Sequence, residues 1–191
     1  ILTCDEEGGR VNRLMDSVST TYIGPMLNYK DQGSDVAYQN AFTIASDMKA
    51  LGFNFDLAPV ADVWSNPANT VIGDRAYSDD FHEAGVLVKA AVQGFHDGGV
   101  GTALKHFPGH GDTSADTHLG AVYVYKSLDE LRGNELLPFQ SGIEAGSDMV
   151  MIAHLILPDI DDQPAPFSSK IVTDLLRKEL HFEGVVITDG L

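Results

Sequence analysis

Apolar residues cluster in five short runs, at residues 1–4, 53–60, 100–104, 149–153 and 185–188. The runs are largely apolar and lack a strict alternation of apolar and polar positions. This pattern is typical of strands in a parallel sheet, because such strands are covered on both faces. The sequence therefore predicts five buried strands.

Longer stretches with helical spacing separate these runs. Apolar side chains recur there at steps of three and four residues, and Gly52 and Gly98 follow the first two stretches. The predicted helices cover residues 35–51, 82–97 and 128–145, and a fourth helix is capped by Ser168 or Ser169. Pro138 is expected to break or kink the third helix. The order βαβαβαβαβ predicts an α/β fold with a parallel sheet and right-handed crossovers.

Ionisable side chains follow all five predicted strands. In chain order they are Asp5 to Glu7, Asp62, Lys105 with His106, His154, and Asp189. A (β/α)8 TIM barrel presents its active-site groups in this way, at the carboxyl ends of successive strands. A doubly wound sheet concentrates its ligands at one switch point, and no glycine-rich nucleotide loop follows any strand here. We predict that the chain holds about five of the eight βα units of such a barrel.

Composition excludes several classes of function. The 191 residues carry a formal net charge of −16, which disfavours nucleic acid as a partner because phosphates require Lys and Arg. No apolar run approaches the ~18 residues of a membrane span. The single cysteine, Cys4, excludes an internal disulfide framework. Because both ends fall in apolar runs, we expect an internal piece of a longer protein, with open sheet edges that favour self-association if the piece is isolated.

Residues 105–118 are the densest chemical segment, with three His, two Asp and one Lys in 14 residues. In one interpretation Asp116 orients His118, which then acts as general acid and general base. In the other, a divalent metal is bound by four side chains of the segment, and the protein is a metal-dependent hydrolase. Those ligands are His106, His110, Asp112 and His118. Residue types alone leave both interpretations open.

Other candidate groups lie in three places. Residues 5–13 set carboxylates and two arginines around a Gly-Gly turn, which suits either hydroxyl and amide recognition or surface ion pairs. Arg75 is a lone arginine in a loop. Asp189 ends a buried strand, where it serves either as a nucleophile or base or as the cap of a following helix. We interpret His154 as a hydrogen-bonded histidine at a strand end.

Four stretches, at residues 5–11, 55–63, 105–118 and 185–191, resemble the β-N-acetylglucosaminidase branch of glycoside hydrolase family 3. The most specific is the pattern Lys-His-Phe-Pro-Gly-His-Gly followed by Asp-Thr-His. The resemblance implies that residues 1–191 are part of a single TIM-barrel catalytic domain. It also implies a retaining, two-step hydrolysis of terminal β-linked N-acetylglucosamine.

The resemblance implies roles for individual residues. Asp189 falls at the position of the nucleophile, His118 at the acid/base and Asp116 at its partner. Five residues fall where the family holds the sugar hydroxyls and the acetamido group: Asp5, Arg13, Arg75, Lys105 and His106. His110 and Asp112 are expected to shape the loop, and neither a metal nor another cofactor is implied. Family members occur in the cytoplasm and outside it, so the compartment stays open.

Three hypotheses of function follow. The leading one is an exo-acting β-N-acetylglucosaminidase whose carbohydrate substrate is a cell-wall muropeptide or a chitin-type oligosaccharide. The second is the metal-dependent hydrolase described above. The third is a sugar-binding fragment without catalysis, because an incomplete barrel can bind a sugar without turning it over.

Overall fold

Five parallel strands form the frame of the chain in this computed structural model, which describes residues 1–113 and 122–190. They are β1 (Thr3–Cys4), β2 (Phe55–Asp56), β3 (Ala103–Phe107), β4 (Met149–Ile152) and β5 (Val185–Thr188). β1 pairs with β2, and β4 pairs with both β3 and β5. Bridges from Phe55 to Gly101 and from Val60 to Lys105 connect β2 to β3. Neighbours in space are thus neighbours in sequence.

This sequential order confirms the predicted α/β fold. In a doubly wound sheet the strand order reverses at a switch point, whereas a TIM-barrel-type domain keeps sequence order. The arrangement is therefore consistent with a TIM-barrel-type domain. The described residues form an array of five parallel strands and no closed barrel, so closure into eight βα units stays a prediction.

Helices cover the intervals between the strands. They are α1 (Ser34–Ala50), α2 (Phe81–Asp97), α3 (Leu128–Gly133), α4 (Leu136–Glu144) and α5 (Lys170–Glu179). The hydrogen bonding in α5 is that of a π-helix. A short helical turn at Met15–Val18 and three 3₁₀ segments complete the helical elements of the described residues. The 3₁₀ segments are Met26–Gln32, Gly73–Arg75 and Ala165–Phe167.

The predicted helix over residues 128–145 is two helices, α3 and α4. A capping box of Ser127 and Glu130 starts α3, and the chain breaks near Asn134. The expected break at Pro138 was wrong, because Pro138 is the third residue of α4. The first four N–H groups of a helix have no intrahelical partner, so a proline is tolerated there. In α5, the Ser168 hydroxyl accepts a hydrogen bond from the Ile171 N–H at 3.2 Å, as predicted for Ser168.

Helices α1 and α2 approach each other very closely. A Cβ added at Gly94 would lie 2.3 Å from the Tyr38 carbonyl oxygen, and one at Gly98 would lie 2.4 Å from the Ala45 Cβ. Only glycine permits this contact between the helix backbones. The apolar side of α2 is buried as its 3.6-residue spacing predicts, with Val88, Ala91 and Val92 completely inaccessible.

Two small sheets, one antiparallel and one mixed, lie beyond the carboxyl ends of the parallel strands. A hairpin of Glu6–Gly8 and Val11–Asn12 follows β1 directly. A second small sheet joins Val122–Tyr123, Leu155–Leu157 and Asp161–Pro164. The sequence analysis missed these strands because runs of two to four residues show too little periodicity. None of the described helices is long and apolar enough to cross a membrane.

Candidate active site

A cavity of about 240 Å³ opens where the carboxyl ends of the parallel strands meet. It brings together every predicted site residue that the structure describes: Asp5, Arg13, Arg75, Lys105, His106 and Asp189. The rest of its wall is formed by Glu7, Val11, Val71, His110 and Met151. The two remaining predicted site residues, Asp116 and His118, lie outside the described residues.

Two of the cavity cations share one buried carboxylate. Glu7, only 4% exposed, accepts hydrogen bonds from Arg75 Nε and Nη2, both at 2.8 Å. Lys105 Nζ lies 2.5 Å from Glu7 Oε1 and 2.6 Å from Asp5 Oδ1. Arg75 also donates from Nη1 to the Val71 carbonyl oxygen at 3.1 Å. The ion network therefore ties β1 and its hairpin to β3 and to the loop that carries Arg75.

The pKa values of this network follow from burial and charge. Burial by itself would raise the pKa of Glu7, but the charges of Lys105 and Arg75 outweigh it and lower that pKa from 4.5 to about 2. Burial would lower the pKa of Lys105, yet the carboxylates of Glu7 and Asp5 raise it. Glu7 is thus ionised and both cations keep their charge at neutral pH.

Asp62 forms a second buried cluster, with two histidines. Its Oδ2 accepts from the backbone N–H of His106 at 3.0 Å and lies 2.6 Å from His106 Nδ1. Its Oδ1 accepts from the backbone N–H of His110 at 2.6 Å. Burial would raise the pKa of Asp62, but the charge and hydrogen bonds of His106, with a smaller effect from His110, lower it. Burial lowers the pKa of the His110 imidazole.

Asp189 stands at the carboxyl end of β5, as the sequence predicts. Its backbone N–H donates to the Ile152 carbonyl oxygen at 3.0 Å, which continues the pairing of β5 with β4. Its carboxylate faces the cavity, with Oδ2 3.9 Å from His106 Nε2. His154 Nε2 lies 3.2 Å from the Asp189 carbonyl oxygen, which confirms His154 as a hydrogen-bonded histidine at a strand end.

Asp5 and Arg13 lie next to each other at the open end of the hairpin that follows β1. Gly8 and Gly9 have φ values of 85° and 58°, in the left-handed region that favours glycine. The Arg13 N–H donates to the Asp5 carbonyl oxygen at 3.3 Å, so the two residues lie side by side. The Arg13 side chain is exposed at the cavity, whereas the Asp5 side chain is 33% exposed and bound to Lys105.

Asp112 contributes to an ion cluster next to this site. Lys126 Nζ lies 2.7 Å from Asp112 Oδ2 and also pairs with Glu135, which is 5% exposed. Burial would lower the pKa of Lys126, but the two carboxylates raise it. On the other side, Asn66 Nδ2 donates to the Asp112 carbonyl oxygen at 3.2 Å. Asp112 therefore helps to shape the loop, as the resemblance implies.

Three of the four residues predicted to bind a metal, His106, His110 and Asp112, lie in the part of the chain that the structure describes. Within residues 1–113 and 122–190, no group of three or more His, Cys, Asp or Glu side chains is arranged to hold a metal ion. The rings of His106 and His110 have centroids 6.0 Å apart. Asp62 binds the ring of His106 but only the backbone N–H of His110, whose Nδ1 lies 2.8 Å from Thr113 Oγ1. The fourth predicted ligand, His118, is outside the described ranges.

The family model described as the glycosyl hydrolase family 3 N terminal domain matches residues 1–191. The chain belongs to glycoside hydrolase family 3. A "Beta-hexosaminidase" from Stenotrophomonas maltophilia (strain K279a) is 39% identical over 198 residues, covering the whole chain and 58% of that protein. The chain thus spans a little over half the length of its curated relatives in the family.

Solved structures give the same family relationship. A glycoside hydrolase family 3 β-N-acetylglucosaminidase from Paenibacillus sp. str. FPU-7 superposes with a TM-score of 0.93 at 40% identity, covering 99% of this chain and 36% of that one. NagZ from Neisseria gonorrhoeae, in complex with N-trifluoroacetyl-D-glucosamine, has a TM-score of 0.91 at 33% identity. That match covers 99% of this family 3 chain and 56% of NagZ.

Sequence reasoning about this family 3 chain missed two buried carboxylates of the site. Glu7 lies in the same Asp-Glu-Glu-Gly-Gly motif as Asp5, and Asp62 follows the second strand, so both positions were available as signals. Neither received a role, because burial and partners decide which of several adjacent carboxylates faces inward. Glu6 shows the contrast, since its carboxylate turns away to accept from the Leu14 N–H at 2.8 Å.

Proposed function

We propose that the full-length protein is a retaining, exo-acting β-N-acetylglucosaminidase. It would remove terminal β-linked N-acetylglucosamine from cell-wall muropeptides or chitin-type oligosaccharides. The observation that carries this proposal is the convergence of Asp189, Lys105 and His106 on one cavity at the strand ends. Membership of glycoside hydrolase family 3 and the printed names of the relatives support it.

Asp189 has the placement that a nucleophile requires. In a retaining glycosidase a carboxylate attacks the anomeric carbon while an acid protonates the leaving oxygen. The bond from the anomeric carbon to the aglycone oxygen breaks, and an ester to Asp189 forms. The Asp189 side chain is 15% exposed, so it reaches the cavity while the strand end holds its backbone.

His118 is proposed as the acid/base, with Asp116 as its partner. His118 would give its proton to the aglycone oxygen in the first step. In the second step it would take a proton from water, whose oxygen attacks the anomeric carbon and releases Asp189. The carboxylate of Asp116 would orient the imidazole and favour its protonated form. Most retaining glycosidases use a second carboxylate for this role, so a histidine is a departure.

The remaining cavity residues are proposed to hold the sugar: Asp5, Arg13, Arg75, Lys105 and His106. Their charged and planar donors suit hydroxyl and acetamido groups. The complex of NagZ with N-trifluoroacetyl-D-glucosamine supports an acylamino sugar as the ligand of this cavity.

The test is a covalent trap in the full-length protein. A slow fluorinated N-acetylglucosaminide should add one sugar mass to the peptide that contains Asp189. Asp189→Ala should abolish this label and lower kcat/KM by more than ~10³-fold. Asp174→Ala is the matched control, because Asp174 is 57% exposed and pairs only with the surface residue Lys178 among the contacts described.

Two outcomes would favour the other hypotheses. Loss of activity in a chelator, restored by a divalent metal, would point to the metal-dependent hydrolase. Sugar binding without turnover or label would point to a non-catalytic sugar-binding protein. Wild-type-like turnover by Asp189→Ala would refute the role of Asp189.

A further inference from the structure

Asp62 is a fully buried carboxylate behind the wall of the cavity. It is 1% exposed and is not one of the cavity-lining residues. Its two oxygens receive three hydrogen bonds: Oδ2 from the His106 backbone N–H at 3.0 Å and from His106 Nδ1 at 2.6 Å, and Oδ1 from the His110 backbone N–H at 2.6 Å. Asp62 thus contacts the imidazole of His106 from the side that faces away from the cavity.

The backbone around Asp62 has a fixed place next to β3. The N–H of Ala61 donates to the Lys105 carbonyl oxygen at 2.7 Å, and Val60 bridges Lys105 in parallel register. Asp62 and His106 therefore directly follow Ala61 and Lys105, the two residues joined by this hydrogen bond. This register places the Asp62 carboxylate directly next to the His106 imidazole, and no additional loop is needed to bring them together.

The contact determines which nitrogen of His106 carries hydrogen. An ionised carboxylate only accepts hydrogen bonds, so His106 Nδ1 must be the donor at 2.6 Å. Nδ1 is then protonated in the neutral imidazole and in the charged one. The other nitrogen, Nε2, points into the cavity and lies 3.9 Å from Asp189 Oδ2.

We propose that Asp62 is a positioning residue that holds His106 in its Nδ1–H form and aims Nε2 at the sugar beside Asp189. This inference rests on the proposed function, because it assigns His106 to sugar binding. In its neutral form His106 then accepts a hydrogen bond from a sugar hydroxyl through Nε2. The opposite tautomer would present an N–H there and could not accept.

The substitution Asp62→Asn keeps the shape of the side chain and removes one of its two hydrogen-bond acceptors. Its amide has one acceptor oxygen for the three N–H groups that Asp62 now satisfies. Whichever way the amide turns, its NH₂ group faces an N–H group that Asp62 now accepts from, so the contact with His106 or the contact with His110 is lost. We expect kcat/KM for an aryl N-acetylglucosaminide to fall by ~10²-fold, since misplacing a binding group by about 1 Å has an effect of that size.

The chain contains a matched control in Asp148. This carboxylate lies 2.9 Å from His96 Nε2 and also accepts from the Thr102 backbone N–H at 2.9 Å. It directly precedes β4, at the amino end of the sheet and away from the cavity. Asp148→Asn removes the same kind of contact and should leave kcat/KM within about twofold of the wild type. Equal losses in Asp62→Asn and Asp148→Asn would overturn the proposal.

A spectroscopic test needs no change at Asp62. In full-length wild-type protein labelled with ¹⁵N-histidine, His106 is assigned as the signal missing from His106→Gln. At a pH where the imidazole is neutral, its Nδ1 should be the protonated nitrogen. An unprotonated Nδ1 in the wild type would overturn the inference, even if Asp62→Asn fails to fold. An active Asp189→Ala would instead refute the proposed function, so the two failures are distinguishable.

Discussion

Glu7 and Arg75 form a bidentate pair, with Arg75 Nε and Nη2 each 2.8 Å from a carboxylate oxygen of Glu7. They are 68 positions apart in the sequence, and the Arg75 side chain is 14% exposed. The same carboxylate binds Lys105. One buried anion thus positions two of the cations proposed to hold the sugar.

Replacing Glu7 by glutamine should weaken both sugar binding and stability. The amide keeps the volume of the side chain but leaves Arg75 and Lys105 with less compensating charge. Breaking a buried ion pair from one side typically destabilises by about 3–5 kcal/mol. In Glu7→Gln we expect a loss in this range by chemical denaturation and a KM for N-acetylglucosaminide raised ~10-fold or more.

Glu179→Gln is the control for that variant. Glu179 also forms a bidentate pair, with Arg132 at 2.7 and 2.8 Å, but on the surface, where the two side chains are 38% and 43% exposed. Surface ion pairs contribute about 0–1 kcal/mol. A Glu7→Gln protein as stable and as active as Glu179→Gln would show that the buried network does not position the cations.

The Glu7 network also predicts a loss of stability in acid. The pKa of Glu7 is about 2 in the folded protein and 4.5 ordinarily, so its contribution is present above pH 4.5 and is lost as pH falls towards 2. The shift corresponds to roughly 3 kcal/mol. Asp56 works in the opposite direction, because burial raises its pKa well above the ordinary value.

Comparison of two proteins isolates the contribution of Glu7 in acid. We expect the free energies of unfolding of the wild type and Glu7→Gln to differ most above pH 4.5 and to converge as pH falls below it. The measurement is urea unfolding at several pH values. A difference that stays constant down to pH 2.5 would mean that Glu7 does not titrate in this range.

The proposed roles of His118 and Asp116 predict a dependence on the leaving group. Only a poor leaving group needs a proton, so His118→Ala should slow an alkyl N-acetylglucosaminide far more than a dinitrophenyl one. Asp116→Ala should weaken the same step. The measurement is kcat/KM for both substrates. Equal losses for the two aglycones would rule out His118 as the acid.

Sugar selection is predicted to depend on the geometry of Arg75. Lysine cannot reproduce the two parallel hydrogen bonds to Glu7, so Arg75→Lys should displace the cation in the cavity. We expect the preference for an N-acetylglucosaminide over a plain glucoside, taken as the ratio of kcat/KM values, to fall at least ~10-fold. Arg132→Lys, on the surface, should leave the ratio unchanged. Comparable kcat/KM values for both sugars in the wild type would refute selection by Arg75, Lys105 and His106.

Local sequence patterns predicted the regular elements well. The runs at residues 149–153 and 185–188 correspond to β4 and β5, and the stretch at residues 82–97 corresponds to α2. Burial of apolar side chains at fixed spacing governs β4 and α2, and the sequence displays it directly. The prediction of buried strands was wrong for β1 and β5, whose residues are exposed or half-buried because each strand lies at an edge of the array. The break within residues 128–145 was misplaced, because Pro138 falls in the first turn of α4, where the helix does not use its N–H group.

The sequence by itself determined the kinds of chemical groups at the site, their position after the strands and the family of the chain. Parallel strands bring their carboxyl ends to one edge, so residues as distant in sequence as Asp5 and Asp189 line one cavity. Only the tertiary structure decided which of several neighbouring carboxylates is buried at the cavity and which groups each one binds. Glu6, Glu7 and Asp62 are all carboxylates at strand ends, and their roles differ because each is held by whichever N–H groups or cations surround it in the folded protein.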